Sequence, residues 1–426
     1  MTDERVEVRL NDRAQSRVVG HLRDVGEGPH FQYAPAFLEE GIRLSPFMVP
    51  NDTRVFTPTK PGLHRLQGLI YDALPDGWGL RLLHQAMRDA GMDPSGTSPI
   101  TWLRALGDRG MGALTFHPQE DVVSAAAPDA TDLATLAAEA RRVDASHVRR
   151  MLPALMRAGG GSGGARPKIV VAWHDSGAGA DAFEPLPKGY RPALIKFAAS
   201  SEPPDAPLVE AAYLSMAARA GLEVAAHRVH EVPTGKGGSA VRSKQKKRWA
   251  LVVDRFDRIG NTRRHVHSLA GLLELDFRHD TADYRDLIKV ALALTNDLRA
   301  ARAAWQRAAF NVGAHNRDDH VKNVAFQMAE DGTWSFAPAY DLTYADGPGG
   351  YHTMPVAGES LAPGRADLLR LADDVGLSRA EAAQDLARLR DALAQWPEFA
   401  AERGISRART AEIGKVIGAQ SRRLAG

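Results

Sequence analysis

Hydrophobic and polar residues alternate near the start of the chain. The stretches VEVRL, RVVGHL and HFQYAP are rich in β-forming residues and are separated by polar or glycine-containing turns, which predicts three short strands. The stretch LIYDALPDGWGLRLLHQAM then has helical spacing, interrupted at Pro75 and Gly77. The first part of the chain is therefore predicted to be a small mixed α/β domain.

The middle of the chain changes between strand and helix patterns. Residues 118–131 have the composition of a linker, and Thr131 or Asp132 is the predicted cap of a helix over LATLAAEARRV. A second helix is predicted near 146–157 and a third from about 207 to 220. Strands are predicted at IVVAW, ALIKF, AAHRVHEV and WALVVDRF.

After about residue 265 the pattern is helical, except around 321–345. There VAFQMAEDGTWSFAPAYD predicts a hairpin that turns at Asp331 and Gly332. Ser378 and Glu381 have the spacing of a capping box before a helix. The pattern thus predicts an α+β protein with a mixed domain at 1–118, a sheet-rich part at 119–258 and a mainly helical part at 259–426.

Composition limits the classes of function. The chain has 426 residues, a net charge of +2 and no cysteine. Disulfides, thiolate metal sites and a cysteine nucleophile are excluded, and the net charge gives no overall argument for nucleic acid. The beginning, MTDERVEVRL, has no apolar signal core, and the longest apolar stretch, VALALT, is too short to span a bilayer. We expect a cytoplasmic protein that does not bind membranes.

The most polar stretch is HNRDDHVKN, residues 315–323, directly before a strand-like run. Asp318 and Asn323 have the spacing found in the catalytic loop of kinases. A carboxylate can accept the proton of an attacking hydroxyl, and a nearby carboxamide oxygen can bind Mg²⁺ without competing for that proton. The alternative interpretation is a polar surface loop, because short patterns also match by chance.

Asp341 lies at the far end of the predicted hairpin. Two antiparallel strands would return Asp341 to the side of Asp318 and Asn323, where all three side chains surround one metal ion. The alternative interpretation is that Asp341 caps a helix.

A glycine-rich stretch, GGGSGGARPK, covers residues 159–168. Glycine allows backbone N–H groups to approach phosphate oxygens closely, and Arg166 and Lys168 add positive charge. The candidate phosphate-binding residues are therefore Gly161, Ser162, Gly163, Gly164 and Lys168. The alternative interpretation is a flexible linker.

Lys196 interrupts the apolar strand ALIKF. A lysine in such a strand needs a partner and is suited to bridging phosphates, with Glu210 on the next helix as the candidate carboxylate. A lysine that points to solvent is the alternative. The strand VVDRF ends at Asp254, Arg255 and Phe256, which are candidates for holding an adenine ring.

The order of these features is more specific than any one of them. A glycine loop, a strand lysine, a helix glutamate, a strand end, an Asp–Asn loop and a second Asp follow one another as in ATP-dependent kinases. With FQYAPAFLEEGIRLSPFMVP, DALPDGWG, GGARPK, IKF, GLEVAAHRV, RFDR, RDDHVKN and PAYDLT in the same order, the chain resembles the HipA family of toxin kinases over almost its whole length.

The resemblance implies a two-lobed protein-kinase-like fold and serine/threonine protein kinase activity with ATP and Mg²⁺. By position, Asp318 is the catalytic base, Asn323 and Asp341 are metal ligands, and His320 falls on a family motif position where it braces the loop. It also implies a protein substrate, with aminoacyl-tRNA synthetases among the family's targets. The implied partner is a HipB-like helix-turn-helix antitoxin, through which DNA is bound only indirectly.

The chain departs from the family in two places. The serine that the family autophosphorylates falls on Gly161, with Ser162 beside it, so self-inactivation through Ser162 stays open. In addition, TGKGGSAVRSKQKKR at 234–248 is predicted to be an extended loop between two strands, whose five basic residues from 242 to 248 could bind RNA, DNA or an acidic partner. The alternative interpretation is a solvated, mobile loop.

Three other functions remain as alternatives. The first is a small-molecule phosphotransferase of the aminoglycoside-kinase kind, and the second is a catalytically silent kinase-like binding module. The weakest is a metal nuclease built on His315, Asp318, Asp319 and His320, because no further residues supply the rest of a two-metal site.

Overall fold

The computed structural model describes residues 5–13, 15–120, 133–144, 153–159, 161, 163–232 and 247–425. The chain divides into two compact units, Met1–Pro207 with Arg228–Val266, and Leu208–His227 with His267–Gly426. The helix cap predicted at Thr131 or Asp132, the start of the helix predicted near 146, Ser162 and the basic residues up to 246 lie outside the described residues. The domain boundaries at 118 and 258 stay predictions.

The structure contains both strands and helices. The strands are β1 (Arg5–Leu10), β2 (Arg17–Asp24), β3 (Pro29–Tyr33), β4 (Leu114–His117), β5 (Lys168–Trp173), β6 (Gly179–Ala180), β7 (Arg191–Phe197), β8 (His227–Val232), β9 (Arg248–Asp254), β10 (Arg258–Ile259), β11 (Thr262–Arg263), β12 (His265–Ser268), β13 (Ala325–Met328) and β14 (Trp334–Phe336). The helices are α1 (Pro35–Glu39), α2 (Gly68–Tyr71), α3 (Gly77–Asp89), α4 (Pro99–Leu106), α5 (Leu133–Asp144), α6 (Pro153–Gly159), α7 (Ala206–Arg219), α8 (Leu269–Leu272), α9 (Tyr284–Thr295), α10 (Leu298–Gly313), α11 (Arg365–Asp374), α12 (Arg379–Ala394), α13 (Trp396–Glu402) and α14 (Arg407–Ala425).

Most elements predicted from the pattern are present. The break at Pro75 and Gly77 separates α2 from α3, and Ser378 caps α12 by accepting a hydrogen bond from the backbone N–H of Glu381. The short strands β4, β6, β10, β11 and β12 were not predicted, because segments of two to four residues carry too little alternation to recognise.

In the described part of the first unit, the two larger sheets have four and five strands, and β10 and β11 form a separate two-stranded sheet. The N-terminal sheet is antiparallel with the order β3-β2-β1-β4, and alternate residues of β1 (Val6, Val8 and Leu10) are fully buried. The second sheet has the order β6-β5-β7-β9-β8. Its buried face forms one core with α3, α5 and α6, in which Trp78, Leu82 and Ile169 are completely buried. This core places the start of β5 and the end of β7 next to each other.

The second unit combines helices with the predicted hairpin. Strands β13 and β14 pair antiparallel, with Phe326 opposite Phe336 and Met328 opposite Trp334. Tyr213 packs edge-on against Trp396 at 5.6 Å, and its hydroxyl donates to the carbonyl of Ala314 at 2.7 Å. The buried core therefore anchors the point where α10 ends and the polar stretch begins. No helix among the described residues has the length and apolar character needed to cross a membrane.

Candidate active site

Two lysines predicted to bind phosphate face each other across neighbouring strands of the first unit. Lys168 on β5 lies directly opposite Lys196 on β7, and both side chains are buried. Residues directly opposite in an antiparallel pair project to the same face, and like charges in that position repel each other. Two ammonium groups side by side on one face are well suited to a polyanionic ligand such as a triphosphate. The sequence indicated each lysine, but only the strand register brings the two together.

The glycine loop is held by residues that follow α2. Asp76 accepts a hydrogen bond from the backbone N–H of Gly164, and the backbone N–H of Trp78 donates to the carbonyl of Gly164 at 2.8 Å. The Trp78 indole donates to the carbonyl of Lys168 at 2.8 Å. A Cβ on Gly77, whose φ is +42°, would lie 2.6 Å from the Gly164 oxygen. The stretch DGWG is thus a support for the loop, a role that its sequence did not reveal.

The resemblance predicts that Gly161 takes the position of the family's autophosphorylated serine. A Cβ at this position would overlap the carbonyl oxygen of Arg109. A side chain therefore does not fit at position 161 in this arrangement, so the substitution of glycine for serine is consistent with the local packing. Ser162, the neighbouring candidate, lies outside the described residues.

The strand end predicted to hold adenine is tied to the protein itself. The Asp254 carboxylate accepts hydrogen bonds from Arg191 at 3.1 Å and from Arg228 at 2.5 Å. The backbone N–H of Arg255 donates to the carbonyl of Pro192 at 3.0 Å, and its buried guanidinium is bonded to Asp257. Phe256 is half-buried. The side chains of Asp254 and Arg255 thus form hydrogen bonds within the protein. A role of residues 254–256 in binding adenine stays a prediction.

In the second unit, Asp318 and Asn323 belong to one closed loop. The Asn323 carboxamide donates to the carbonyl of Asp318 at 2.6 Å, and the Asn323 backbone N–H donates to the carbonyl of His320 at 2.8 Å. The carboxamide nitrogen is thereby used inside the loop. The Asp318 side chain is 59% exposed, as a base that receives a proton from a substrate must be.

Asp341 follows the hairpin on an anchored stretch of backbone. The backbone N–H of Ala339 donates to the carbonyl of Glu223 at 2.7 Å, and the Tyr340 hydroxyl donates to the carbonyl of Lys322 at 2.8 Å. The second bond links the end of the hairpin to the loop that carries Asp318 and Asn323. Asp341 has a φ of +52°, a left-handed conformation that is uncommon outside glycine. Strain of this kind is frequent at functional sites.

A buried arginine behind this loop was missed from the sequence. Arg307 on α10 is 2% exposed and points one guanidinium nitrogen toward the carbonyl of Asn323 at 3.5 Å. Burial lowers the pKa of Arg307 to about 10, while Tyr340, Tyr284 and Asp341 act in the opposite direction. The guanidinium remains charged at neutral pH and places a positive charge beside Asp341. Arg307 is one of three arginines in α10, and nothing in the sequence distinguishes it from Arg299 and Arg302.

His320 supports the loop through its ring. It packs on Phe277 with 5.0 Å between ring centroids, and its Nε2 lies 4.0 Å from the Asp318 carboxylate. That distance is too long for a hydrogen bond. The arrangement suits the bracing role expected for His320.

His315 is fixed at the start of the loop. Its Nδ1 accepts from the Gln420 carboxamide at 3.1 Å, and its Nε2 donates to Asp346 at 3.1 Å. Burial and the charge of Arg317 lower the pKa of His315, against the opposing effect of Asp346. Since Gln420 and Asp346 occupy both ring nitrogens, the geometry favours a structural role for His315 over that of a metal ligand in a nuclease.

The residues present are compatible with Mg²⁺ on chemical grounds. Among the described residues, no group of three His, Asp or Glu side chains forms a metal cluster. Mg²⁺ in phosphoryl-transfer sites is usually held by one or two carboxylates, with substrate phosphates and water completing the shell. One carboxylate, Asp341, and one oriented carboxamide, Asn323, match that requirement.

The chain is similar to proteins of one family. Residues 7–117 match the HipA N-terminal domain and residues 160–396 match the HipA-like C-terminal domain. No curated protein matches the chain significantly. Among solved structures, HipA of the Shewanella oneidensis MR-1 toxin–antitoxin system, in its complex with HipB and operator DNA, has a TM-score of 0.69 and 21% identity, covering 99% of this chain and 97% of that one.

A second, weaker structural match is the Helicobacter pylori proinflammatory kinase CtkA, with a TM-score of 0.38 and 10% identity over 61% of this chain and 88% of that one. The likeness to the Shewanella protein confirms the predicted fold class, an α+β fold of the two-lobed, protein-kinase-like type. The match to the HipA-like C-terminal domain alone covers more than half of the residues of this chain, and the chain therefore belongs to the HipA family.

Proposed function

We propose that the chain is an ATP- and Mg²⁺-dependent serine/threonine protein kinase of the HipA toxin type, acting on a cellular protein. The observation that supports this most strongly is the closed loop in which Asp318 is exposed while the Asn323 carboxamide is held on the Asp318 carbonyl. The loop is also bonded to the end of the hairpin that carries Asp341.

The proposed reaction assigns one task to each side chain. Asp318 accepts the proton of the serine or threonine hydroxyl while the new oxygen–phosphorus bond forms and the bond between the β- and γ-phosphates breaks. Asn323 Oδ1 and Asp341 would hold Mg²⁺, which offsets the charge that develops on the phosphates. Arg307, buried behind Asn323, would limit the repulsion between Asp341 and other negative groups.

Phosphoryl transfer also needs groups that grip the triphosphate. In the first unit Lys168 and Lys196 supply two ammonium groups on one sheet face, and the backbone of Gly163 and Gly164 lies beside Asp76. We assign nucleotide binding to this set. Glu210, the predicted partner of Lys196, is buried on α7.

We further propose that a HipB-like antitoxin neutralises the chain and that DNA is bound only through this partner. The likeness to HipA in a complex with HipB and operator DNA supports the proposal. The test is size-exclusion chromatography of the chain with a HipB-like protein and operator DNA, in which DNA should enter a complex with the chain only when the antitoxin is present. The predicted cytoplasmic location stays a prediction.

Transfer of label from γ-labelled ATP tests the proposed activity. The purified chain is incubated with ATP, Mg²⁺ and a lysate of its host, and labelled proteins are identified by mass spectrometry. Asp318→Asn should reduce labelling by about 10²–10⁴-fold, the usual contribution of a general base, without loss of ATP binding. Asp331→Asn, at the exposed hairpin turn, is the matched control and should label normally.

Two outcomes would overturn the proposal. Labelling that persists in Asp318→Asn removes this residue from the chemistry. Turnover of a small alcohol with no labelled protein instead supports a small-molecule phosphotransferase.

The metal ligands are tested by ATP binding with and without Mg²⁺. Asn323→Ala and Asp341→Ala should weaken Mg²⁺-ATP binding by at least about tenfold, because even the outer contacts of a metal site are worth this much. In EDTA the same variants should bind ATP like the wild type. Equal losses in both conditions would show that these residues do not bind the cation.

A further inference from the structure

The residue after the proposed base points the opposite way. Asp318 is exposed, whereas the Asp319 side chain is completely buried. Its carboxylate accepts three hydrogen bonds of 2.8 Å each, from the Tyr284 hydroxyl, from His352 Nδ1 and from the backbone N–H of Thr353. Two neighbouring aspartates therefore have different surroundings, and the metal-nuclease interpretation, which needs both at one metal, is not supported by this geometry.

The donors to Asp319 come from separate parts of the second unit. Tyr284 is the first residue of α9, and burial raises its pKa well above the ordinary value, so its hydroxyl remains a donor. The same hydroxyl accepts from Asn311 on α10 at 2.8 Å, and Asn311 in turn accepts from Asn316 at 3.0 Å. Asp319 thus joins two helices and the start of its own loop.

The other two donors lie in residues 346–361, which follow Asp341 and are called here the 346–361 segment. Arg317, just before Asp318, donates to the carbonyls of Gly350 and Leu361 in this segment, and its own carbonyl accepts from the Thr353 hydroxyl at 3.1 Å. The backbone N–H of His352 donates to the carbonyl of Ser360 at 2.8 Å, which closes the segment on itself. The residues on both sides of Asp318 are therefore fastened to one segment.

We infer that Asp319 is a positioning residue: it locks the backbone of Asp318 to the 346–361 segment, so that the base and this segment take up their working arrangement together. The inference rests on the proposed kinase function and deepens it. A buried carboxylate with three donors has one favourable orientation, and this orientation turns the preceding side chain outward. Movement of the segment would then be transmitted to the base through His352 and Thr353.

Asp319→Asn tests this role, because an amide keeps the shape of the side chain but turns an NH₂ group toward at least one donor. We expect kcat to fall by about 10–100-fold, as for other residues that orient a functional group. The KM for ATP should change by less than about twofold, since no ATP-binding group is altered. Hydrogen exchange of the 346–361 amides should become at least about tenfold faster.

Asp385→Asn is the matched control. Asp385 is also buried in the second unit and also accepts three hydrogen bonds, from Arg302 at 2.8 and 3.1 Å and from Gln306 at 2.9 Å. Its loss should speed exchange in α10 and α12 and leave both kcat and the 346–361 segment unchanged. A general loss of stability would affect the two variants in the same way, whereas a positioning role would not.

Tyr284→Phe provides a second variant, which removes one of the three donors and retains the ring. Tyr284→Phe should lower kcat by a smaller factor than Asp319→Asn does. In the double variant, Tyr284→Phe should lower kcat little further, because the two residues act through one contact. Wild-type kcat and unchanged exchange at 346–361 in Asp319→Asn would overturn the inference. If the wild type itself transfers no phosphate to any acceptor, the proposed function fails, and the exchange measurement still decides whether Asp319 holds the segment.

Discussion

Loss of the Asp257 carboxylate should strongly destabilise the first unit, since Asp257 is fully buried and paired with two arginines. Its carboxylate accepts from Arg255 at 2.8 and 2.5 Å, from Arg258 at 2.6 Å and from the backbone N–H of Gly112 at 2.9 Å. Arg258 also donates to the carbonyl of Gly112 at 2.9 Å. This buried cluster holds the end of β9, and with it residues 254–256, on the loop that precedes β4.

The magnitude follows from the number and burial of these bonds. Asp257→Asn keeps the shape but removes the negative charge between two guanidinium groups that are only 4% and 9% exposed. About two charge-assisted hydrogen bonds are lost, at roughly 1.5–3 kcal/mol each. Removing one partner of a buried ion pair typically costs about 3–5 kcal/mol. We therefore expect a loss of about 3–5 kcal/mol in the unfolding free energy of this unit.

Urea unfolding and hydrogen exchange are the assays. A loss of about 3 kcal/mol corresponds to exchange that is roughly 100-fold faster for amides that open by unfolding of the unit. Asp175→Asn is the control, since Asp175 also pairs with an arginine, Arg191, but its side chain is 72% exposed. Its loss should leave stability almost unchanged, because exposed ion pairs contribute little.

The pH dependence gives an independent check. Burial raises the pKa of Asp257, but the charges of Arg255 and Arg258 and the hydrogen bonds outweigh it and hold the pKa below the usual range. The stability contributed by Asp257 is therefore present above the unfolded pKa of about 3.9 and is lost as the pH falls through the folded pKa. The difference in unfolding free energy between wild type and Asp257→Asn should become smaller only below pH about 4. A difference in unfolding free energy below about 1 kcal/mol at pH 7 would contradict the expected loss, because the buried cluster would then stabilise the unit no more than an exposed ion pair does.

Two further substitutions test the supports of the glycine loop and of the loop that carries Asp318. Gly77 has a φ of +42°, and a Cβ at this position would lie 2.6 Å from the Gly164 oxygen, so Gly77→Ala should weaken ATP binding. Gly91→Ala is the control: Gly91 has a φ of +82° but lies in open space, so this change should cost only roughly 1–2 kcal/mol of stability and leave ATP binding unchanged. Equal ATP affinity in the two variants would contradict the support role of DGWG. Because burial and Arg317 lower the pKa of His315, the unfolded chain takes up this proton first, so stability should fall as the pH drops below about 6.5. Measured by urea unfolding, the unfolding free energy of His315→Asn should fall less than that of wild type between about pH 7 and 5. If both proteins show the same dependence on pH, His315 does not contribute to it.

Local patterns in the sequence predicted many of the strands and helices and the candidate functional residues. The alternation in VEVRL and IVVAW, the turn at Asp331 and Gly332, and the cap at Ser378 are local features. They depend on side-chain periodicity and on turn and capping preferences, which act over a few residues and can be read directly. The spacing of Asp318 and Asn323 was informative for the same reason, because both residues lie in one short loop.

Contacts between residues far apart in the chain could not be predicted and became visible only in the folded protein. Lys168 faces Lys196 because of the β5–β7 register, Asp76 holds Gly164 from 88 residues away, and Asp319 meets His352 across 33 residues. None of these pairs has a signature in the sequence, since any polar residue can fill a polar position until packing shows which partner it meets. The physical reason is that buried polar groups must be satisfied wherever the chain folds back on itself, and the choice of partner is made by the three-dimensional arrangement of strands and helices.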